Sequence, residues 1–226
     1  MTIGASSTAT TRLDHIRANL AAVRARVGDR LVLAAVKADA YGHGAVEVGR
    51  MIERTRAADW LGVATVGEGL ELRAAGITLP ILKLSVARGD EVTAAVRAGL
   101  TLTVTDAASI QEAGTAASGG TTASVHLKVD TGMRRIGCEP AEAPGLAALA
   151  DTTPGVRLDG LFSHLPISDS PRGDDFTKTQ VELFRATAEQ VEQARGPLLK
   201  HLANSGAVLG HPDAWLDLVR PGIMIY

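Results

Sequence analysis

Apolar residues first fall into a regular pattern at Leu13, Ile16, Leu20 and Val23, spaced three and four apart, until Gly28 ends the run. That spacing puts one apolar stripe on a helix. Downstream, short apolar runs alternate with amphipathic stretches. The runs 31–36, 60–65, 80–84, 101–104, 124–129, 158–163, 199–203 and 216–219 predict eight strands. Between them, residues 46–56, 67–75, 90–98, 106–116, 142–150 and 176–195 carry helical periodicity. Asp106 and Asp175 stand where N-caps are expected, and Gly76 and Gly99 where C-caps are expected. Strand–helix alternation implies parallel neighbours, because a parallel pair needs a crossover connection. Eight such units predict an α/β fold of the (β/α)8 TIM-barrel type. A doubly wound open sheet is disfavoured, since no Gly-x-Gly-x-x-Gly follows the first strand. Residues 1–11, MTIGASSTATT, read as a disordered lead-in, and residues 12–226 as the barrel domain.

Composition narrows the class of function. The 226 residues are 46% apolar and 21% charged, a globular composition. A single cysteine, Cys138, excludes an intramolecular disulfide framework. A net charge of −2 from 23 basic and 25 acidic residues gives neither a nucleic-acid footprint nor a polybasic membrane patch. No apolar run approaches the roughly 18 residues of a membrane span. The first residues lack the basic-then-apolar profile of a signal peptide, so a cytoplasmic protein is expected.

A barrel places function just past the C-terminal ends of its strands, and polar residues gather there. Lys37 follows the first strand. In the fifth, alternation puts Val125, Leu127 and Val129 toward the helices and His126 and Lys128 inward. Asp130, Arg134 and Arg135 come next, His164 closes the sixth strand, Asn204 and Ser205 follow the seventh, and Arg220 follows the eighth. Each has a plain alternative: Lys37 as a solvated edge residue, His126 as a satisfied core histidine, Arg135 paired with Asp130, Arg220 paired with Asp217. Their joint placement on one rim favours chemistry. Serine hydrolysis would need a Gly-x-Ser-x-Gly elbow, which is missing. A metal hydrolase is conceivable with His126, His164 and His201, or with Lys128, His126 and His164, but no His-x-His pair opens the first strand and inward carboxylates are few, so no metal is expected. A rim lysine that forms a Schiff base suits the set better, with a phosphate held by Ser205, Gly222 and the Ile223 amide. That is a pyridoxal 5′-phosphate site.

At these residues the sequence closely resembles the alanine racemase family. The likeness runs through AVKADAYGHG (35–44), KVDTGMRRIG (128–137), GLFSHL (160–165), HLANSGA (201–207) and LVRPGIMIY (218–226). It implies pyridoxal 5′-phosphate bound as an imine to Lys37, with Tyr41, Ser205, Gly222 and Ile223 on the phosphate and Asn204 beside them. It implies Arg220 at the pyridine nitrogen, where a permanent cation disfavours ring protonation. Arg135 would position substrate and cofactor, and His164 would belong to the hydrogen-bonding shell beneath the ring. Lys128 matches a position carbamylated in many members, a change that would turn a clash with Arg135 into an attraction. The implied reaction interconverts L- and D-alanine by α-proton abstraction from an external aldimine, supplying D-alanine for peptidoglycan. The segment PISDSPRGDDF (166–176) is similar to the alanine/serine branch, which adds serine as a substrate.

Family members are homodimers that continue past RPGIxLYG into a last barrel helix and a β-domain, whose tyrosine is the second base in the partner's site. The resemblance therefore implies a chain that binds the cofactor and racemises weakly or not at all alone. It also leads one to expect apolar barrel wall facing water beyond the eighth strand. The alternative is a non-enzymatic, single-barrel pyridoxal-phosphate homeostasis protein.

Overall fold

The computed structural model describes residues 9–117 and 119–226; the part of the expected lead-in at 1–8 lies outside them. Eight strands close into one parallel barrel in chain order. They are β1 (Leu31–Ala35), β2 (Trp60–Val63), β3 (Ile81–Val86), β4 (Thr101–Val104), β5 (Ala123–Lys128), β6 (Val156–Phe162), β7 (Leu199–His201) and β8 (Leu218–Val219). The ring is sealed where Leu31 and Val32 of β1 pair with Leu218 and Val219 of β8. Every run read as a strand is one, with ends that match or shift by at most two residues.

The barrel holds two cores. Inside it, Leu33, Leu82 and Leu218 form a buried layer with Trp60, Leu84 and Leu199 against it. Outside it, alternate residues such as Val32, Ala34 and Val219 join a larger core with the helices. Those helices are α1 (Leu13–Val27), α2 (Lys37–Gly42), α3 (Ala45–Thr55), α4 (Val66–Ala74), α5 (Asp90–Arg97), α6 (Ala107–Ala116), α7 (Ala143–Thr152), α8 (Asp174–Arg195) and α9 (Ser205–Gly210). Asp106 caps α6 as expected, its side chain accepting the Ser109 N–H at 2.7 Å. Asp175 does not cap α8: the N-cap is Gly173, and Asp174 and Asp175 sit in the first turn, where a carboxylate favours the helix dipole. Gly76 and Gly99 follow α4 and α5 with φ of 86° and 64°, the left-handed turn-off that ends a helix.

Two further features depart from the sequence reading. The first is α2, in a stretch to which the sequence pattern assigned neither strand nor helix. Ala38, Asp39, Ala40 and Tyr41 have φ between 51° and 54°, one continuous left-handed turn without a glycine. L-residues resist that conformation by roughly 1–2 kcal/mol each, so the surroundings must hold it. The second is the wall beyond β8. Val219 and Ile225 are fully buried rather than bare, while Ile223 stands 62% exposed. The covering element is α1, whose Asn19 donates to the Ile225 carbonyl at 3.2 Å and whose Arg26 donates to the Val208 carbonyl at 2.9 Å.

Candidate active site

A cavity of about 250 Å³ opens at the C-terminal ends of the strands. Its wall includes the ten residues to which the family resemblance gives a role: Lys37, Tyr41, Lys128, Arg135, His164, Asn204, Ser205, Arg220, Gly222 and Ile223. Residues up to 186 positions apart thus meet because they end or follow five strands, β1, β5, β6, β7 and β8. Leu84, Met133 and Phe162 supply apolar wall, and Asp169 stands at the margin.

The floor is organised around Phe162. The Lys128 ammonium and the Arg220 guanidinium each lie 5.4 Å from its ring centre, and His201 stacks on it at 4.7 Å with 10° between planes. Arg220 is buried and donates through Nη1 to His201 Nδ1 at 2.8 Å, and through Nη2 to the carbonyls of Ser163 and Leu202 at 2.7 and 3.0 Å. Asp217, its plain alternative partner, pairs with Lys200 instead. Burial lowers the Arg220 pKa to about 9, still well above neutrality. Because a guanidinium cannot accept, His201 Nδ1 must be the acceptor and Nε2 must carry the proton. Nε2 then donates to His126 Nδ1 at 2.8 Å, and the His126 proton sits on Nε2, which is buried without a partner. His126 and His201 are therefore committed to orienting Arg220, and no three His, Cys, Asp or Glu side chains among the described residues gather as metal ligands would.

Cations dominate the cavity. Burial lowers the Lys128 pKa to about 8, helped by Arg220 and Arg135. Burial, then Arg220, Lys128, Arg135 and Lys37, lowers His164 to about 3, so it is neutral at pH 7. Asp130 does not pair with the Arg135 side chain. Its carboxylate accepts the backbone N–H groups of Gly132, Arg134 and Arg135 at 2.8, 3.1 and 3.2 Å, shaping the loop that carries Arg135 to the mouth. Burial alone would raise the Asp130 pKa, but those N–H groups outweigh it and the pKa falls. Arg134 turns outward to Glu139 at 2.7 Å.

Opposite the floor, backbone and hydroxyl groups cluster. Ser205 Oγ accepts the Gly222 N–H at 2.9 Å and the Met224 N–H at 3.5 Å. A Cβ on Gly222 would stand 2.6 Å from the Tyr41 hydroxyl, so only glycine allows that approach. The Tyr41 ring lies 5.9 Å from the Lys37 ammonium. Tyr226 faces Tyr41 with 5.1 Å between ring centres and donates to the Ala35 carbonyl at 2.9 Å, a structural bond. Asn204 lines the cavity but its amide is engaged: it accepts the Ala207 N–H and the Ser168 hydroxyl and donates to the Leu165 carbonyl.

With this geometry fixed, comparison with known proteins decides the family. The profile of the family described as alanine racemase, N-terminal domain, matches residues 11–226. The curated alanine racemase of Cutibacterium acnes is 53% identical over 216 residues, 95% of this chain and 58% of its own length. The chain belongs to the alanine racemase family. The alanine racemase of Thermobifida fusca is 41% identical over 219 residues, again 95% of this chain and 58% of that protein. Among solved structures, the alanine racemase of Clostridium difficile in complex with cycloserine superposes with a TM-score of 0.90 at 35% identity, covering 95% of this chain and 59% of that one. That of Bacillus anthracis with bound L-Ala-P gives 0.86 at 32% identity, with 95% and 56% covered. The chain thus spans somewhat over half the length of the alanine racemases it matches. Within this racemase barrel, the sequence reading took His201 only as a candidate metal ligand and passed over Phe162, Asp39 and Glu68. The inward alternation that flagged His126 and Lys128 in β5 would also have flagged Phe162 in β6 and His201 in β7.

Proposed function

We propose that the chain binds pyridoxal 5′-phosphate at Lys37 and works in the interconversion of L- and D-alanine. The observation that carries this reading is one cavity lined by a strand-end lysine, a buried arginine and a hydroxyl–amide cluster around a glycine that a Cβ would fill. The donor set fits the group. Tyr41, Ser205, Gly222 and Ile223, which share one side of the cavity, suit a phosphate, and Arg220, held by three protein acceptors, suits an unprotonated ring nitrogen. Two arginines, Arg135 and Arg220, line the wall with Lys37 and suit an anionic ligand with a substrate carboxylate.

When bound, the cofactor supplies an electrophilic carbonyl for the substrate amine and a sink for the electrons of the Cα–H bond. Lys37 Nζ then holds or moves the proton at one face of Cα. Arg135, at the mouth, takes the substrate carboxylate. His164, neutral at pH 7, serves as a hydrogen-bonding group rather than an acid. Lys128, with a neutral fraction near pH 8, adds its amine to carbon dioxide with loss of a proton, and the resulting carbamate faces Arg135. The same reading assigns alanine as substrate with serine as the alternative, a cytoplasmic setting and a second copy of the chain as partner.

The test is borohydride reduction of the chain after incubation with pyridoxal 5′-phosphate, followed by peptide mapping. The expected adduct is on Lys37. Reduction of another lysine, or none, overturns the reading.

A further inference from the structure

Lys37 is held by an unusual piece of backbone. It stands two residues past β1 and opens the left-handed turn of α2, in which Ala38 to Tyr41 have φ of 51–54°. A turn of L-residues in this conformation does not persist without external support. Two carboxylates supply it. Asp39 Oδ1 accepts the Ala45 N–H at 2.7 Å, tying the turn to the start of α3. Glu68, on α4, reaches across from the next strand–helix unit: its Oε1 accepts the Ala38 N–H at 2.7 Å, while its Oε2 accepts the N–H groups of Ala64 and Thr65 at 2.7 and 3.0 Å. One side chain therefore closes the capping box of α4 and grips the residue next to Lys37.

We propose that Glu68 is a positioning residue for Lys37, acting through the Ala38 N–H to hold the left-handed turn in place. The role rests on the reading of Lys37 as the cofactor lysine, and the capping of α4 gives it a control. In Thr65→Val the hydroxyl that accepts the Glu68 N–H at 3.2 Å is lost, while the Glu68 carboxylate keeps Ala38. In Glu68→Gln the amide has one oxygen where the carboxylate has two, so one set of N–H groups loses its acceptor. In the double variant Glu68→Gln/Ala38→Gly, the exposed Ala38 becomes a residue for which positive φ carries no penalty.

Two measurements on the whole chain decide the matter: the rate at which added pyridoxal 5′-phosphate forms a borohydride-trappable adduct at Lys37, and hydrogen exchange of the backbone amides from 38 to 44 without cofactor. Glu68→Gln is expected to slow adduct formation and speed exchange by about tenfold each, as loss of a charged hydrogen bond implies. The double variant is expected to recover most of both, and Thr65→Val to leave both unchanged. Unchanged values in Glu68→Gln, equal changes in Thr65→Val, or no recovery with glycine would overturn the proposal. If the parent chain forms no adduct at Lys37, the cofactor reading fails by itself and amide exchange still decides whether Glu68 holds the turn.

Discussion

The direction of donation through Arg220, His201 and His126 is forced by the guanidinium, and it fixes how these side chains respond to acid. His126 is wholly buried, and burial lowers its pKa to about 4. His201 is lowered well below its ordinary value by the same burial and by Arg220. The folded state keeps both neutral at a pH where the unfolded chain has begun to protonate them at about 6.5. Between pH 6.5 and 4 the unfolded state therefore binds more protons, and stability falls as pH falls. The His126 share of that loss is on the order of 3 kcal/mol. Urea unfolding midpoints from pH 7.5 to 4.5 would show it. His126→Asn is expected to be less stable at pH 7.5, having lost a fitted ring, yet to lose less on acidification. Parallel curves for the parent and the variant would remove His126 from the acid response.

At the scale of elements, the phosphate cup proposed above is made where α2 meets the segment after β8. Tyr41 arrives on the left-handed turn, and Gly222 on a backbone stretch bonded to Ser205. In Gly222→Ala the new methyl would stand 2.6 Å from the Tyr41 hydroxyl and 3.4 Å from the ring carbon that bears it, so one element must move. A thermal midpoint lowered by the equivalent of about 1–3 kcal/mol is expected, the usual cost of overpacking. Adding Tyr41→Phe removes the clashing oxygen and is expected to restore stability without restoring cofactor affinity, because the phenol goes with it. Restored affinity would show that the hydroxyl does not contact the phosphate. The strands were legible because β-branched and aliphatic runs alternate with helical periodicity, a local signal. The left-handed turn was not, because Ala38, Asp39, Ala40 and Tyr41 carry no glycine to announce positive φ, and its support comes from Glu68, thirty residues away. The cavity wall was legible as strand-end residues. The tautomers beneath it were not, since they depend on three side chains from β5, β7 and the end of β8 meeting in space.

At the scale of the whole molecule, a barrel of eight parallel strands is stable only if its outer face is covered all the way round. Along most of the ring each strand is covered by helices that follow neighbouring strands. At the seam between β8 and β1 the cover is α1, which precedes the first strand. Its buried residues Ile16, Leu20, Val23 and Val27 join the outer core that includes Val32 and Val219. Its polar residues reach both ways, Arg24 to Asp59 at 2.9 Å and Arg26 to the Val208 carbonyl. Since β1 and β8 carry Lys37 and Arg220 on their ends, the seam and the candidate site share a support. Leu20→Ala removes a side chain with no exposed surface, and a loss of about 2–5 kcal/mol in urea unfolding is expected. The decisive reading is spatial. Hydrogen exchange should rise in β1 and β8 together, while β4 and β5, on the far side of the barrel, keep their protection. An increase confined to α1 would mean that the seam holds without its helix.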